Sequence, residues 1–163
     1  MAGLTPWALA EAITEAQQAE LLVGRRFAHE LVRESLISNT PEALQQVLHA
    51  SIARHCGDRL APHALAAHWW AAGEVSTAVT ETLRAAARYC DCGWQAHAST
   101  LLRDALARTD VGDARARLTG ALARTTMEQG DFERAKALAL EALQALPAPA
   151  TGSKPCCCWP TSR

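Results

Sequence analysis

At 163 residues and 49% hydrophobic content, the chain can bury one ordinary core, or a smaller one followed by a short repeat array. Alanine supplies 35 residues, aromatics only 5%, and β-branched runs are almost absent, which excludes bulky sheet layers and points to closely packed helices. Sixteen basic against seventeen acidic side chains give a net charge of −1, without the basic excess of a nucleic-acid module, and no apolar stretch reaches bilayer-spanning length.

The first twenty residues carry acids and no base, unlike a secretory signal, so a cytoplasmic chain is expected. The six cysteines are Cys56, Cys90, Cys92 and the run Cys156-Cys157-Cys158. A disulfide framework would be spread along the chain, so reduced thiols are the simpler reading.

Thr5-Pro6 is a helix start, because proline at the first helical position loses no needed hydrogen bond. Residues 7 to 19 then place Leu9, Ile13 and Ala16 on one face at helical spacing, with acids opposite. Leu21-Leu22-Val23 and Arg26-Phe27-Ala28 flank Gly24-Arg25, which suggests a small β-hairpin. His29 to Ile37 reads as helix, with Leu31, Val32 and Leu36 apolar.

This order of helix, hairpin and RFAHELVRESL resembles the winged-helix segment of STAND-type ATPase regulators, the large LuxR-type and SARP-type bacterial transcriptional activators. The matching residues are Leu9, Ala12, Ala16, Leu21, Leu22, Phe27, His29, Leu31, Val32, Arg33 and Leu36. The resemblance implies a segment that closes a nucleotide-binding module and is followed by a helical-repeat sensor array. His29 is expected to pack or hydrogen-bond against the hairpin.

Thr40-Pro41 restarts a helix, the threonine to cap free amides and the proline for the first turn. Leu44, Val47, Leu48 and Ile52 form an apolar stripe before Gly57. Ala61-Pro62 begins another helix with Leu65, Ala66, Trp69 and Trp70, ending at Gly73. Helical patterns follow over 74–91, 94–108 and 113–128, and a last one runs from the Gly130-Asp131 turn to Pro147.

Aligning on glycine exposes a repeat. Gly73 precedes Ala78 and Ala85, Gly93 precedes Ala98 and Ala105, and Gly130 precedes Ala135 and Ala142, at offsets of five and twelve each time. Small residues at those offsets let two helices of a hairpin approach closely, and Pro147 ends the last one. This is the layout of a tetratricopeptide-like unit. The spacing from Gly93 to Gly130 is 37, near the ~34 of such a unit, whereas Gly73 to Gly93 is 20, one helix and a turn. The expectation is a degenerate array leaning on the winged-helix-like segment.

From Ala148 the composition changes to APATGSKPCCCWPTSR. Proline, serine, threonine and three cysteines replace the alanine periodicity, so a disordered tail is expected, and the break suggests truncation or a frame change near residue 150.

Catalytic chemistry finds no foothold. There is no GxxxxGK[ST] phosphate loop, and the resembling family's nucleotide site lies upstream of the part that matches. Its C-terminal DNA-reading helix-turn-helix is likewise missing from the matched part. Cys90-Asp91-Cys92 with His97 lacks the paired spacing of a structural zinc site, and Cys90 fits the buried stripe of its helix. His63 and His68, five apart, and His49 and His55, six apart, do not share helix faces well. Glu11/Glu15 and Glu128/Asp131 read as solvated faces.

Partner contact has better candidates. Of the adjacent tryptophans, Trp69 is expected in the core and Trp70 as an anchor for a partner. Arg84 and Arg88, one turn apart, and Arg117 and Arg124, two turns apart, offer guanidinium groups to an acidic peptide, against a plain reading as a solvated charged face.

The combined expectation is all-α: a winged-helix-like segment over 1–38, a tetratricopeptide-like solenoid over 39–147, and a disordered tail over 148–163. No catalytic residue, cofactor or metal is expected. The function expected is a non-enzymatic sensor or interaction fragment reading a protein, a peptide or a small inducer on its repeats, with a free-standing adaptor as the alternative. Nucleic acid is disfavoured by the charge balance, no membrane association is expected, and exposed array ends make self-association plausible.

Overall fold

The computed structural model describes residues 5–24, 26–110 and 112–145. Thr5 Oγ1 accepts the Ala8 amide at 3.3 Å and Pro6 takes the first helical position, so α1 (Pro6–Gln18) starts where its capping residues predict. Two-residue strands β1 (Leu22–Val23) and β2 (Arg26–Phe27) pair antiparallel, Leu22 opposite Phe27. Gln17 Nε2 donates to the Gly24 carbonyl at 2.8 Å and ties the hairpin to α1. The expected hairpin is therefore present. In α2 (Glu30–Asn39), His29 sits at the N-cap, exposed and without a side-chain cap bond. Arg33 pairs with Glu30 of its own helix.

One expectation for α3 (Glu42–Cys56) is corrected. Thr40 does not cap it; its hydroxyl donates back to the Leu36 carbonyl at 2.6 Å, closing α2 instead. Gln45 Nε2 bridges that junction, donating to the Ile37 and Thr40 carbonyls, both at 2.9 Å. The stripe of Leu44, Val47, Leu48 and Ile52 remains exposed, while Ala50 and Ala53 are buried. Helix α3 thus meets α4 (Pro62–Ala71) through its small face, which permits a closer approach than leucines would. A short 3₁₀ turn, Gly57–Arg59, joins the two.

The remaining helices are α5 (Val75–Asp91), α6 (Gln95–Ala107), α7 (Asp113–Glu128) and α8 (Phe132–Ala145). Gly73, Gly93 and Gly130 have φ of 77°, 77° and 86°. Each donates its amide to the carbonyl three residues back: Trp70 at 3.1 Å, Cys90 at 2.9 Å and Met127 at 2.9 Å. The following amide reaches five residues back: Glu74 to Trp69 at 3.1 Å, Trp94 to Tyr89 at 2.8 Å and Asp131 to Thr126 at 3.2 Å. These are left-handed glycine caps, which satisfy orphan carbonyls and reverse the chain.

The alanine five residues after each glycine closes the first turn of the next helix. Ala78, Ala98 and Ala135 donate to the carbonyls of Glu74, Trp94 and Asp131 at 2.9, 3.1 and 3.0 Å. All six alanines of the pattern (Ala78, Ala85, Ala98, Ala105, Ala135 and Ala142) are buried. A methyl group contributes only about 0.8 kcal/mol of transfer energy, so their role is to set helix separation. Bulk comes from Val79, Leu102, Leu118 and Leu122, each worth about 1.5–3 kcal/mol when buried.

Neighbouring helices alternate in direction. His63, in the first turn of α4, lies against Tyr89 near the end of α5, and Ser99 of α6 accepts from Gln129 Nε2, just past α7, at 3.2 Å. Helix α5 also reaches α7, where Cys90 Sγ lies 3.7 Å from Thr125 Oγ1. The buried hydroxyls of Thr82, Thr109 and Thr126 each donate to a carbonyl one turn back, at 2.8, 2.9 and 2.8 Å. Among the described residues every buried side-chain nitrogen and oxygen has a partner, and no helix is long and apolar enough to cross a membrane. The expected tail, 148–163, lies outside the described residues.

A Cβ added at Gly73, Gly93 or Gly130 would meet nothing within 4 Å, so substitution there strains only the backbone. Gly73→Ala, Gly93→Ala and Gly130→Ala should each lose about 1 kcal/mol in urea unfolding. Gly120→Ala, inside α7, where the new Cβ would lie 4.0 Å from Ala142 Cβ, should instead gain about 0.5–1 kcal/mol.

A candidate partner-binding surface

The α5–α6 turn builds an aromatic cluster. Because the Trp94 amide must reach the Tyr89 carbonyl, their side chains emerge together, with ring centroids 6.0 Å apart. His97, in the first turn of α6, lies 6.1 Å from Tyr89 and 5.9 Å from Trp94. His63 of α4 stacks on Tyr89 at 5.9 Å with planes 24° apart. Pro62, His63, Ala85, Arg88, Tyr89 and Trp94 line a cleft of about 180 Å³ here. Trp94 is 56% exposed, and Arg88 is exposed and outside the salt bridges found among the described residues. Ring faces that stack on apolar groups stand next to a guanidinium donor, an arrangement suited to an extended peptide bearing a carboxylate.

The five residues expected to bind a partner do not form one patch. Arg88 lines this cleft, and Arg124 lines a separate groove between α7 and α8. Arg84 is exposed and pairs with Glu81 at 3.4 Å, and Arg117 is exposed on α7. Trp70 packs against the core cluster and donates from Nε1 to Thr82 Oγ1 at 3.0 Å. Trp69 instead lies beneath the Arg54 guanidinium, 6.0 Å from its ring centroid. Both rings are half-buried, and it is Trp70 that packs against the core cluster. Trp70 still lines a neighbouring cleft of about 100 Å³ with Ala67, Leu101, Asp104 and Arg108, and His63 borders both clefts.

The aromatic cluster was open to sequence reading only in part: Tyr89 and Trp94 flank a turn glycine, but nothing local places His63 beside them. The same holds for His49 and His68, 19 residues apart on α3 and α4, whose Nδ1 atoms approach to 2.8 Å. One nitrogen must donate and the other accept, so the pair is favourable only when at least one ring is neutral. Burial, aided by the His49 charge, lowers the His68 pKa from its ordinary 6.5. Burial also raises the Cys90 thiol above its ordinary value, against the opposing bond from Thr125, which keeps it a packed thiol rather than a reactive thiolate. Cys56, Cys90 and Cys92 are all free. Among the described residues no group of three or more His, Cys, Asp or Glu side chains is placed to hold a metal ion.

No family model, curated protein or solved structure matches this chain.

The lowered His68 pKa carries a pH dependence whose sign follows from which state binds the proton first. On acidification the unfolded chain takes up a proton near the ordinary value, before the folded chain does. Stability is therefore full above about pH 6.5 and falls as the pH drops through the lowered folded value. Thermal midpoints measured from about pH 7 to about 5.5 should fall for the wild type and fall less steeply for His68→Asn.

Proposed function

We propose that the chain is a non-enzymatic interaction or sensor unit: a short tetratricopeptide-like helical array preceded by a winged-helix-like segment. In this reading it corresponds to the sensor region that follows the ATPase module in STAND-type transcriptional regulators, which it resembles over residues 9–36. The observation that carries the repeat reading is the recurrence of one turn, with the same two backacting hydrogen bonds and two buried alanines, at Gly73, Gly93 and Gly130. The α1–hairpin–α2 order supports the winged-helix-like reading. A phosphate-loop ATPase frame in the flanking genomic DNA would favour the regulator. Unrelated flanking genes would leave the second reading, a free-standing adaptor.

The adaptor reading is favoured by the Tyr89–Trp94 cleft beside Arg88. On either reading the recognised element is an acidic, extended peptide segment laid across that cleft. A panel of fluorescein-labelled peptides carrying an acidic residue next to proline or an aromatic residue tests this by anisotropy. Arg88→Glu and Trp94→Ala should each weaken the best binder about tenfold, and Arg117→Glu should leave it unchanged. Peptide binding insensitive to Arg88 and Trp94, or no binding across the panel, would remove the cleft from consideration.

A further inference from the structure

The two ends of the described chain carry surfaces of opposite character. Between α7 and α8 lies a groove of about 360 Å³. Its floor is made of the buried small residues Ala123 and Ala135, and its apolar walls are Met127, 50% exposed, and Phe132, 67% exposed. Arg124 and Lys136 stand on its rim, and neither belongs to a salt bridge found among the described residues. No acidic side chain lines it. The lining positions recur at three, four and seven residues on both helices, so the groove runs along the helix pair and fits another helix better than an extended strand.

Helix α1 has the complementary chemistry. Trp7, Glu11 and Glu15 recur every four residues and form one ridge. Trp7 is 74% exposed, both carboxylates are exposed, and the helix contains no lysine or arginine. Trp7 Nε1 donates to Glu11 Oε1 at 2.9 Å, so the aromatic knob and the first carboxylate are presented as one unit. The C-terminal segment 146–163 is a poor rival for the groove. Its charged side chains, Lys154 and Arg163, carry the same sign as the rim.

We propose that α1 of a second copy docks in the α7–α8 groove, with Trp7 between Met127 and Phe132 and the Glu11–Glu15 carboxylates on Arg124 and Lys136. The two surfaces differ, so the contact is head-to-tail: each copy offers a ridge at one place and a groove at another. Association by such a contact continues beyond the dimer unless the rotation closes a ring. The rim pairs are solvent-exposed, so salt weakens the contact.

The test is sedimentation equilibrium from micromolar to millimolar concentration at low salt. The wild type should rise in mass past the dimer, and added salt should lower that mass. Arg124→Glu/Lys136→Glu and, separately, Glu11→Lys/Glu15→Lys should each raise the dissociation constant tenfold or more. All four positions are exposed, and circular dichroism checks that both variants stay folded. An equimolar mixture of the two variants should associate again, because each then offers the sign that the other lacks. A wild-type monomer at every concentration, association indifferent to either reversal, or a mixture that stays monomeric would overturn the proposal.

Discussion

The left-handed glycine cap is the constraint on which the described helices depend. At Gly73, Gly93 and Gly130 the chain must reverse within two residues while the last carbonyls of one helix still need donors. Only a backbone without a Cβ reaches φ near 80° without strain, and once there its own amide and the next supply the missing bonds. Those bonds then determine where the following helix begins. The alanine that closes its first turn arrives at the helix–helix contact, and the alanine two turns later arrives there again. Turn chemistry, helix phase and helix separation are one linked choice.

Close spacing has a second effect on the polar groups inside. Thr82, Thr125 and Thr126 are buried in helices that leave little room for bulky side chains, and Thr109 is buried just past the end of α6. Each hydroxyl finds an acceptor four residues back, on the preceding helical turn. No interhelical network is required, so the contacts between helices remain mostly apolar. Where a polar contact does cross, it joins particular pairs: Trp70 to Thr82, Gln129 to Ser99, His49 to His68. These crossings pin the register that small alanine faces leave loosely specified.

Much of the architecture was legible in the sequence because it is written in local chemistry. Glycine at a cap, proline at a first turn, and alanine at fixed offsets each act within a few residues, and the hairpin about Gly24 appeared where its flanking apolar runs placed it. Which apolar face of a helix is the buried one was not legible in that local chemistry. In α3 the Leu44–Ile52 stripe is exposed and the Ala50–Ala53 face is inward, because close packing rewards small residues at the contact over bulk. The core contact of Trp70 was hidden for a related reason. Adjacent rings on a helix differ by about 100°, and only the position of Thr82 on the next helix decides which one finds a buried hydrogen-bond partner. The aromatic cleft and the histidine pair depend on interhelical register, which no local pattern specifies.

The 20-residue interval between the first two glycine caps has a consequence of parity. Each cap reverses the chain, so successive turns lie at alternate ends of the stack, and the link between α6 and α7 counts as one such reversal. Gly93 and Gly130 therefore share an end, as the Ser99–Gln129 bond shows, and Gly73 lies at the other. Residues following the caps are sorted accordingly: Trp94 and Asp131 decorate one rim of the stack, Glu74 the opposite rim. Duplicating a whole hairpin would preserve this sorting. Gaining or losing a single helix would exchange the two rims for everything downstream, so an odd helix in such a stack acts as an inverter of its polarity.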